Sequence, residues 1–102
     1  MTASNTLTPS QLTNLLANHP EWRVEKDCLA NEYKFADFCT AFSFMTRVAF
    51  VAEAMEHHPE WFNVYNRVGF KLCTHDAGNS ITDKDIKLAI DISEIAVTFQ
   101  RP

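Results

Sequence analysis

Three of the four histidines lie in the second half of the chain, where they could carry acid–base chemistry. His57 and His58 are adjacent, and His75 follows further along the chain. Imidazole groups exchange protons near neutral pH, so two or three of them close together can serve as acid and base. The alternative is a structural role, since histidines at helix ends often cap carbonyl groups or face solvent. We interpret the remaining histidine, His19, as a helix stop.

A carboxylate and a thiol extend this set. Glu53 lies one helical turn before His57, so it could orient that imidazole or share its charge. The negative end of a helix dipole also favours a protonated imidazole there. Cys73 could join the three histidines as a metal ligand, but the adjacent pair His57 and His58 has poor geometry for one ion. The sequence therefore favours acid–base chemistry and predicts no metal.

Aromatic residues are dense near the histidines. Trp61, Phe62 and Tyr65 follow the pair, and a flat heteroaromatic ligand could stack on such rings. The alternative is core or subunit packing, which we favour more for Phe62 than for Trp61. The tetrapeptide His-Pro-Glu-Trp occurs twice, at 19–22 and 58–61, which suggests that a helix followed by a hairpin occurs twice.

Composition bounds the class of protein. The chain has 102 residues, of which 46% are hydrophobic, and this is enough for one domain with a real core. Nine basic against 13 acidic residues argue against a nucleic-acid surface. No apolar run approaches the ~20 residues of a membrane span, and the first residues lack a signal-peptide pattern. We therefore predict a cytoplasmic protein whose Cys28, Cys39 and Cys73 are reduced, mostly buried thiols.

The elements of the first half have clear boundaries. Thr8 to Gln11 form a capping box that opens a helix, and His19-Pro20 ends it. Short alternating segments on either side of Lys26-Asp27 predict a hairpin with one wet face. Asp37 is expected to cap a longer helix that runs to about Glu56. Its predicted core stripe consists of Phe38, Phe42, Met45, Ala49, Ala52 and Met55, and Phe44, Val48 and Val51 widen it.

The second half leaves one alternative open. Apolar residues of one parity predict one long strand, whereas the length of the segment favours two strands that turn near Asn66-Arg67. Those residues are Phe62, Val64, Val68, Phe70 and Leu72. Thr82 opens the last helix with Asp85 at its third position, and the surplus apolar surface of this helix predicts a second subunit.

The segment from Glu53 to Asn66 resembles the pterin-4a-carbinolamine dehydratase family. The resemblance continues through Thr74-His75 and Asp85-Ile86, and it covers roughly Thr8 to Val97. It implies an α+β two-layer sandwich, α-ββ-α-ββ-α, with three helices on one face of a four-stranded antiparallel sheet. It thereby decides for two strands, joined by a bulge or a wider turn. We expect one domain over 8–102 and a flexible segment over 1–7.

The resemblance also implies a reaction that needs neither metal nor cofactor. A 4a-hydroxytetrahydropterin loses water to give a quinonoid dihydropterin, which recycles the cofactor of aromatic amino-acid hydroxylases. His57 and His75 would act as acids toward the leaving hydroxyl, and His58 would bind the pterin and act as base. The residues implied in substrate binding are Glu53, Pro59, Glu60, Trp61, Trp22 and Asp85.

The resemblance further implies a homodimer or homotetramer, without membrane or direct nucleic-acid contact. The alternatives are a binding protein, such as a dimerisation cofactor of a transcription factor, or a relative in a molybdopterin pathway. Three departures concern the rim of the pocket and the subunit surfaces. The loop 76–84 is one residue longer than is common in the family, Gly69 replaces a larger residue, and Lys84 stands where some members have Arg.

Overall fold

A computed structural model of the chain describes residues 9–75, 78 and 80–100. Its elements, in chain order, are α1 (Pro9–Asn18), β1 (Arg23–Glu25), β2 (Cys28–Lys34), α2 (Phe38–Met55), β3 (Glu60–Val64), β4 (Arg67–Leu72) and α3 (Asp83–Phe99). The four strands form one antiparallel sheet in the order β1-β2-β4-β3. This confirms the predicted fold class. The predicted flexible segment 1–7 and the cap at Thr8 lie outside the described residues.

Local signals placed the ends of the long helix correctly. Asp37 is the N-cap of α2, and its carboxylate accepts a hydrogen bond of 2.7 Å from the backbone N–H of Thr40. At the other end Glu56 has a left-handed backbone, with φ of 55°, and its N–H donates to the carbonyls of Ala52 and Glu53. This conformation terminates the helix, because the chain leaves the helical path there.

Both hairpins are closed by two-residue turns. Lys26 and Asp27 have φ of 51° and 64°, which confirms the first predicted turn. Tyr65, with φ of 52°, and Asn66 form the second turn between β3 and β4. Turns of this hand match the right-handed twist of the strands, so the register needs neither a bulge nor a wider loop.

The sequence predicted that the apolar residues of the second hairpin share one face, and this prediction is wrong. Directly paired residues of antiparallel strands project to the same face, and Phe62 pairs with Gly69 whereas Trp61 pairs with Phe70. Phe62 and Val64 therefore lie on the open face of the sheet, 46% and 53% exposed. The Phe62 ring covers Gly69, where an added Cβ would overlap it, and this accounts for the glycine at that position.

The helices cover the other face of the sheet, but α2 does not use its whole predicted stripe. The residues of α2 that are buried are Ala41, Phe44, Val48 and Ala52. Phe38 and Phe42 were predicted in the core and are 51% and 56% exposed. Apolar residues surround most of this helix, so only contact with the sheet selects its inner face, where Phe44 packs on Phe35.

By length and composition alone α2 could cross a membrane, since it has 18 residues with a mean hydropathy of 1.3. The core helix of a soluble protein meets the same test. The inner face of α2 belongs to the hydrophobic core.

A polar cluster, buried except at Glu21, joins α3 to the start of the sheet. Ser93 Oγ accepts from the indole of Trp22 over 2.8 Å and donates to the carboxylate of Glu21 over 2.7 Å. The Tyr33 hydroxyl donates to the same carboxylate over 3.1 Å. Burial by itself would raise the pKa of Glu21, but the hydrogen bonds from Ser93, the backbone and Tyr33 outweigh it and lower that pKa.

All three cysteines depart from the prediction of reduced, mostly buried thiols. Cys28 and Cys73 form a disulfide with a Cα–Cα distance of 5.1 Å, and Cys39 is exposed. The cause is strand register: Leu29 of β2 pairs with Leu72 of β4, so the flanking cysteines lie opposite each other. They are separated by 45 residues, and only this non-local pairing reveals the bond.

We expect the double variant Cys28→Ser/Cys73→Ser to unfold with a free energy about 2–4 kcal/mol lower, because the bond closes a long loop in the unfolded chain. Urea denaturation without reductant measures this. Cys39→Ser is the matched control and should stay within about 0.5 kcal/mol of the parent. An unchanged urea midpoint after reduction of the parent protein would contradict the prediction.

We expect Glu21→Gln to destabilise the protein at pH 7 and to destabilise it progressively less as the pH falls into the acid range. The folded-state pKa of Glu21 lies below its unfolded value, so its contribution is present above that unfolded value and is lost as the pH falls through the folded value. Solvent exposure limits the effect to less than about 1 kcal/mol. Thermal unfolding across this pH range tests it, with the exposed Glu94→Gln as control. A difference that does not vary with pH would refute it.

Candidate active site

A cleft of about 430 Å³ lies between the end of α2, the start of β3 and the segment after β4. The structure brings all three predicted histidines to it. It also brings Pro59 and Glu60 there, as predicted. Its other lining residues are Cys73 and Lys84, which the sequence connected with a metal site and with the pocket rim, and Glu56 and Thr74, which it did not assign.

Two chain reversals position the histidines. The left-handed Glu56 turns the chain out of α2, and the backbone N–H of His57 donates to the Ala52 carbonyl over 3.1 Å. Pro59 then leads into the edge strand β3. On the opposite side of the cleft, Thr74 pairs with Ser80 in an isolated antiparallel bridge just beyond β4. His75 is therefore presented by a segment anchored at Thr74.

His57 is held by a buried carboxylate. Its Nε2 lies 2.6 Å from Oδ1 of Asp85, with the His57 side chain 11% and the Asp85 side chain 0% exposed. Asp85 was predicted to bind substrate, but a carboxylate without accessible surface contacts no ligand in the cleft. The predicted partner of His57, Glu53, is also wrong: because the chain leaves the helix at Glu56, the i to i+4 relation no longer applies.

Glu53 instead pairs with His58. The distance from Oε1 to Nε2 is 2.8 Å, and the two side chains are 81% and 64% exposed. A contact between side chains this exposed adds little to stability. The adjacent histidines thus have opposite surroundings, one fixed to a buried acid and one accessible to solvent.

The two tryptophans that were predicted to contact substrate lie in different parts of the structure. Trp61 is half-buried against Phe70, with ring centroids 5.8 Å apart, and lines an apolar groove that shares His58 and Pro59 with the cleft. Trp22 is 2% exposed and its indole donates to Ser93. The structure does not bring Trp22 to the cleft, so its predicted place at the pocket border is not supported.

Two threonines were missed as site residues. The Thr74 hydroxyl donates to Asp85 Oδ2 over 2.7 Å, and the backbone N–H of Thr82 donates to the same oxygen over 2.9 Å. The second contact follows from the predicted capping box at the start of α3. The only sequence signal for Thr74 is its place next to His75.

The described residues contain no cluster arranged to hold a metal ion. Within 9–75, 78 and 80–100, no group of three or more His, Cys, Asp or Glu side chains is arranged so that it could bind one metal ion. What the cleft does offer is three imidazoles, one of them oriented by a buried carboxylate. Such an arrangement can donate and accept protons at a bound ligand.

The structure is thus a small two-layer α+β sandwich with a histidine-lined cleft. The family model described as pterin 4 alpha carbinolamine dehydratase matches residues 5–95 of this chain. The chain belongs to that family. The match includes every residue that we assigned to the site.

Individual relatives agree over nearly the whole chain. A protein of Solibacter usitatus named "Putative pterin-4-alpha-carbinolamine dehydratase" is 52% identical over 90 residues, which is 88% of this chain and 94% of its own length. A protein of the same name from Opitutus terrae is 47% identical, over 88% of this chain and 93% of its own. The crystal structure of a transcriptional coactivator/pterin dehydratase from Brucella melitensis superposes with a TM-score of 0.81 at 42% identity. It covers 90% of this chain and 99% of its own.

We expect Asp85→Ala to lower the free energy of unfolding by about 2–4 kcal/mol, because the α3 cap, Thr74 and His57 all lose an acceptor. Glu53→Ala is the matched control, since it removes the other carboxylate–histidine pair, and it should cost less than about 1 kcal/mol. Urea denaturation of both variants measures the contrast. Equal losses would mean that burial does not distinguish the two pairs.

Proposed function

We propose that this protein catalyses the dehydration of 4a-hydroxytetrahydropterins to quinonoid dihydropterins. The observation that carries the proposal is the convergence of His57, His58 and His75 on one cleft in a chain of this family. In the reaction the C4a–O bond breaks, the departing hydroxyl takes a proton and leaves as water, and N5 gives up its proton. No electron is transferred, so proton donors and acceptors are sufficient.

His57 and His75 are the proposed acids toward the leaving hydroxyl. They belong to opposite walls of the cleft, one following α2 and the other following β4. Asp85 fixes the orientation of His57, so the imidazole loses little conformational entropy when substrate binds. His75 is exposed, so its imidazole is accessible to a ligand in the cleft.

His58 is the proposed pterin-binding residue and base for the N5 proton. Its Nε2 faces Glu53, so when Nε2 carries the hydrogen, Nδ1 holds the lone pair that accepts a proton. Pro59, Glu60 and Trp61 are proposed to shape the pocket beside it. A cleft of about 430 Å³ suits a ligand of pterin size, since small-molecule sites span about 300–1,000 Å³.

We place this reaction in the cytoplasm of the cell, in recycling the cofactor of an aromatic amino-acid hydroxylase, with no bound cofactor in the enzyme itself. We also propose a homodimer or homotetramer. The sequence predicts that surplus apolar surface on α3 contacts a second subunit, but the exposed apolar side chains support a contact through α2 instead. Among its described residues α3 exposes Val97 as a large hydrophobic side chain, whereas α2 exposes Phe38, Phe42 and Phe50.

A second candidate function is protein binding. The Brucella melitensis relative is named a transcriptional coactivator as well as a pterin dehydratase. The exposed phenylalanines of α2 would offer an apolar surface to a partner protein. The formal net charge of −4 disfavours direct contact with nucleic acid.

We expect the purified protein to accelerate dehydration of freshly generated 4a-hydroxytetrahydropterin, with no loss when a metal chelator is added. His57→Ala and His75→Ala should each lower the catalysed rate about 10²–10⁴-fold, the usual contribution of a general acid or base. A stopped-flow absorbance assay measures the rate.

The matched control is His19→Ala, which removes the histidine at the end of α1 and should keep the parental rate. Circular dichroism verifies the fold of each variant. Full activity in both His57→Ala and His75→Ala would refute the assignment. A folded parent protein with no acceleration over the spontaneous reaction would favour the protein-binding candidate instead.

A further inference from the structure

Three groups, from Thr74, Thr82 and His57, contact the Asp85 carboxylate from different sides. We call these four residues the clamp. Oδ2 accepts from the Thr74 hydroxyl over 2.7 Å and from the Thr82 backbone N–H over 2.9 Å, while Oδ1 faces His57 Nε2 over 2.6 Å. Asp85 and Thr82 have no exposed surface, and Thr74 is 4% exposed. These residues come from the end of α2, the segment after β4 and the start of α3. Water is excluded, so the protein itself determines every hydrogen bond of this carboxylate.

The hydroxyl hydrogens in the clamp have fixed directions. The Oγ1 atoms of Thr74 and Thr82 are 2.7 Å apart, and one of them donates to the other. A hydroxyl has one hydrogen, and that of Thr74 is used by Asp85. The hydrogen of Thr82 therefore goes to Thr74, and the chain of donors runs from Thr82 through Thr74 to Asp85.

The clamp leaves one role for each carboxylate oxygen. Oδ2 is occupied by two donors, so the carboxylate cannot rotate to offer that oxygen to His57 without breaking both bonds. Oδ1 remains as an acceptor for the imidazole. A hydrogen on Nε2 satisfies it, and a bare Nε2 would place two lone pairs against each other at 2.6 Å.

From this geometry we infer that Thr74 is a positioning residue that acts through Asp85 to hold His57 in the Nε2–H tautomer. Nδ1 of His57 is then the nitrogen that exchanges protons with a ligand. The inference rests on the proposed function for its kinetic consequence, but the tautomer is a property of the protein alone. Thr74 borders the cleft, yet its hydrogen is committed to Asp85, so it is not assigned to substrate.

Thr74→Val and Thr74→Ser separate the hydroxyl from the side-chain volume. Valine keeps the shape and removes the donor, so we expect kcat to fall roughly tenfold with KM within about twofold, as for an interaction that acts on the transition state. Serine keeps the donor and should stay within about threefold of the parent. Thr98→Val is the matched control, since its hydroxyl donates to the Ile95 carbonyl on the exposed side of α3.

A second readout does not depend on activity. The ¹⁵N chemical shifts of the His57 ring report which nitrogen carries the hydrogen in the neutral form. We expect Nε2–H to dominate in the parent protein and in Thr74→Ser, and a mixture of tautomers in Thr74→Val. If the parent protein does not dehydrate pterins, the proposed function fails while this spectrum still decides the inference.

Three results would overturn the inference. A parent spectrum dominated by Nδ1–H contradicts the clamp directly, even if Thr74→Val does not fold. A Thr74→Ser protein as slow as Thr74→Val means that packing, not the hydroxyl, is what matters. A folded Thr74→Val protein with parental kcat and an unchanged His57 tautomer means that Asp85 needs no help from Thr74.

Discussion

The site depends on one buried carboxylate. A charged group without solvent contact is unfavourable unless several donors surround it, and the Asp85 side chain has three polar neighbours within the protein. One is the backbone of its own helix cap, one is the Thr74 hydroxyl, and one is His57. The Thr82 hydroxyl does not contact Asp85, but it lies 2.7 Å from the Thr74 hydroxyl that does. Satisfying this single group therefore requires the end of α2, the end of the sheet and the start of α3 to meet at one point.

The register of the sheet positions these three segments relative to one another. The two-residue turn at Tyr65-Asn66 sets the register of β4 against β3, and β4 in turn pairs with β2 over six residue pairs. This register carries Cys73 opposite Cys28 and delivers Thr74 to the start of α3. The disulfide and the clamp on Asp85 thus anchor neighbouring residues of one segment, and His75 follows directly.

The helix caps and tight turns could be predicted from the sequence, because each depends on residues that are adjacent in the chain. The cap at Asp37, the turn at Lys26-Asp27 and the Thr82–Asp85 relation each depend on a few adjacent residues. The repeated tetrapeptide His-Pro-Glu-Trp suggested that a helix followed by a hairpin occurs twice, and the resemblance to the family implied the full α-ββ-α-ββ-α order and the choice of two strands. The histidines were found because their residue type and proximity in the chain are themselves the signal.

The errors share a non-local cause. The face of Phe62 depends on how β3 pairs with β4, and the inner face of α2 depends on where the sheet lies. The disulfide depends on strands that are adjacent in space but 45 residues apart at the bonded cysteines. The role of Asp85 depends on its complete burial, which no pattern of charges in the sequence reveals. In each case the chemical character of the residue was interpreted correctly, but the sequence does not show which residue lies next to it in the fold.

The contrast between His57 and His58 is the strongest argument for a reaction rather than simple binding. The cap of α3 and Thr74 already give Asp85 a structural role, but a protein that only bound a partner would not need an imidazole held against this acid at the edge of a cleft. A dehydration needs one proton given and another taken at different atoms of the ligand. A held imidazole beside an accessible one suits that division, because the two neighbours can then differ in orientation and hydration while sharing one cleft.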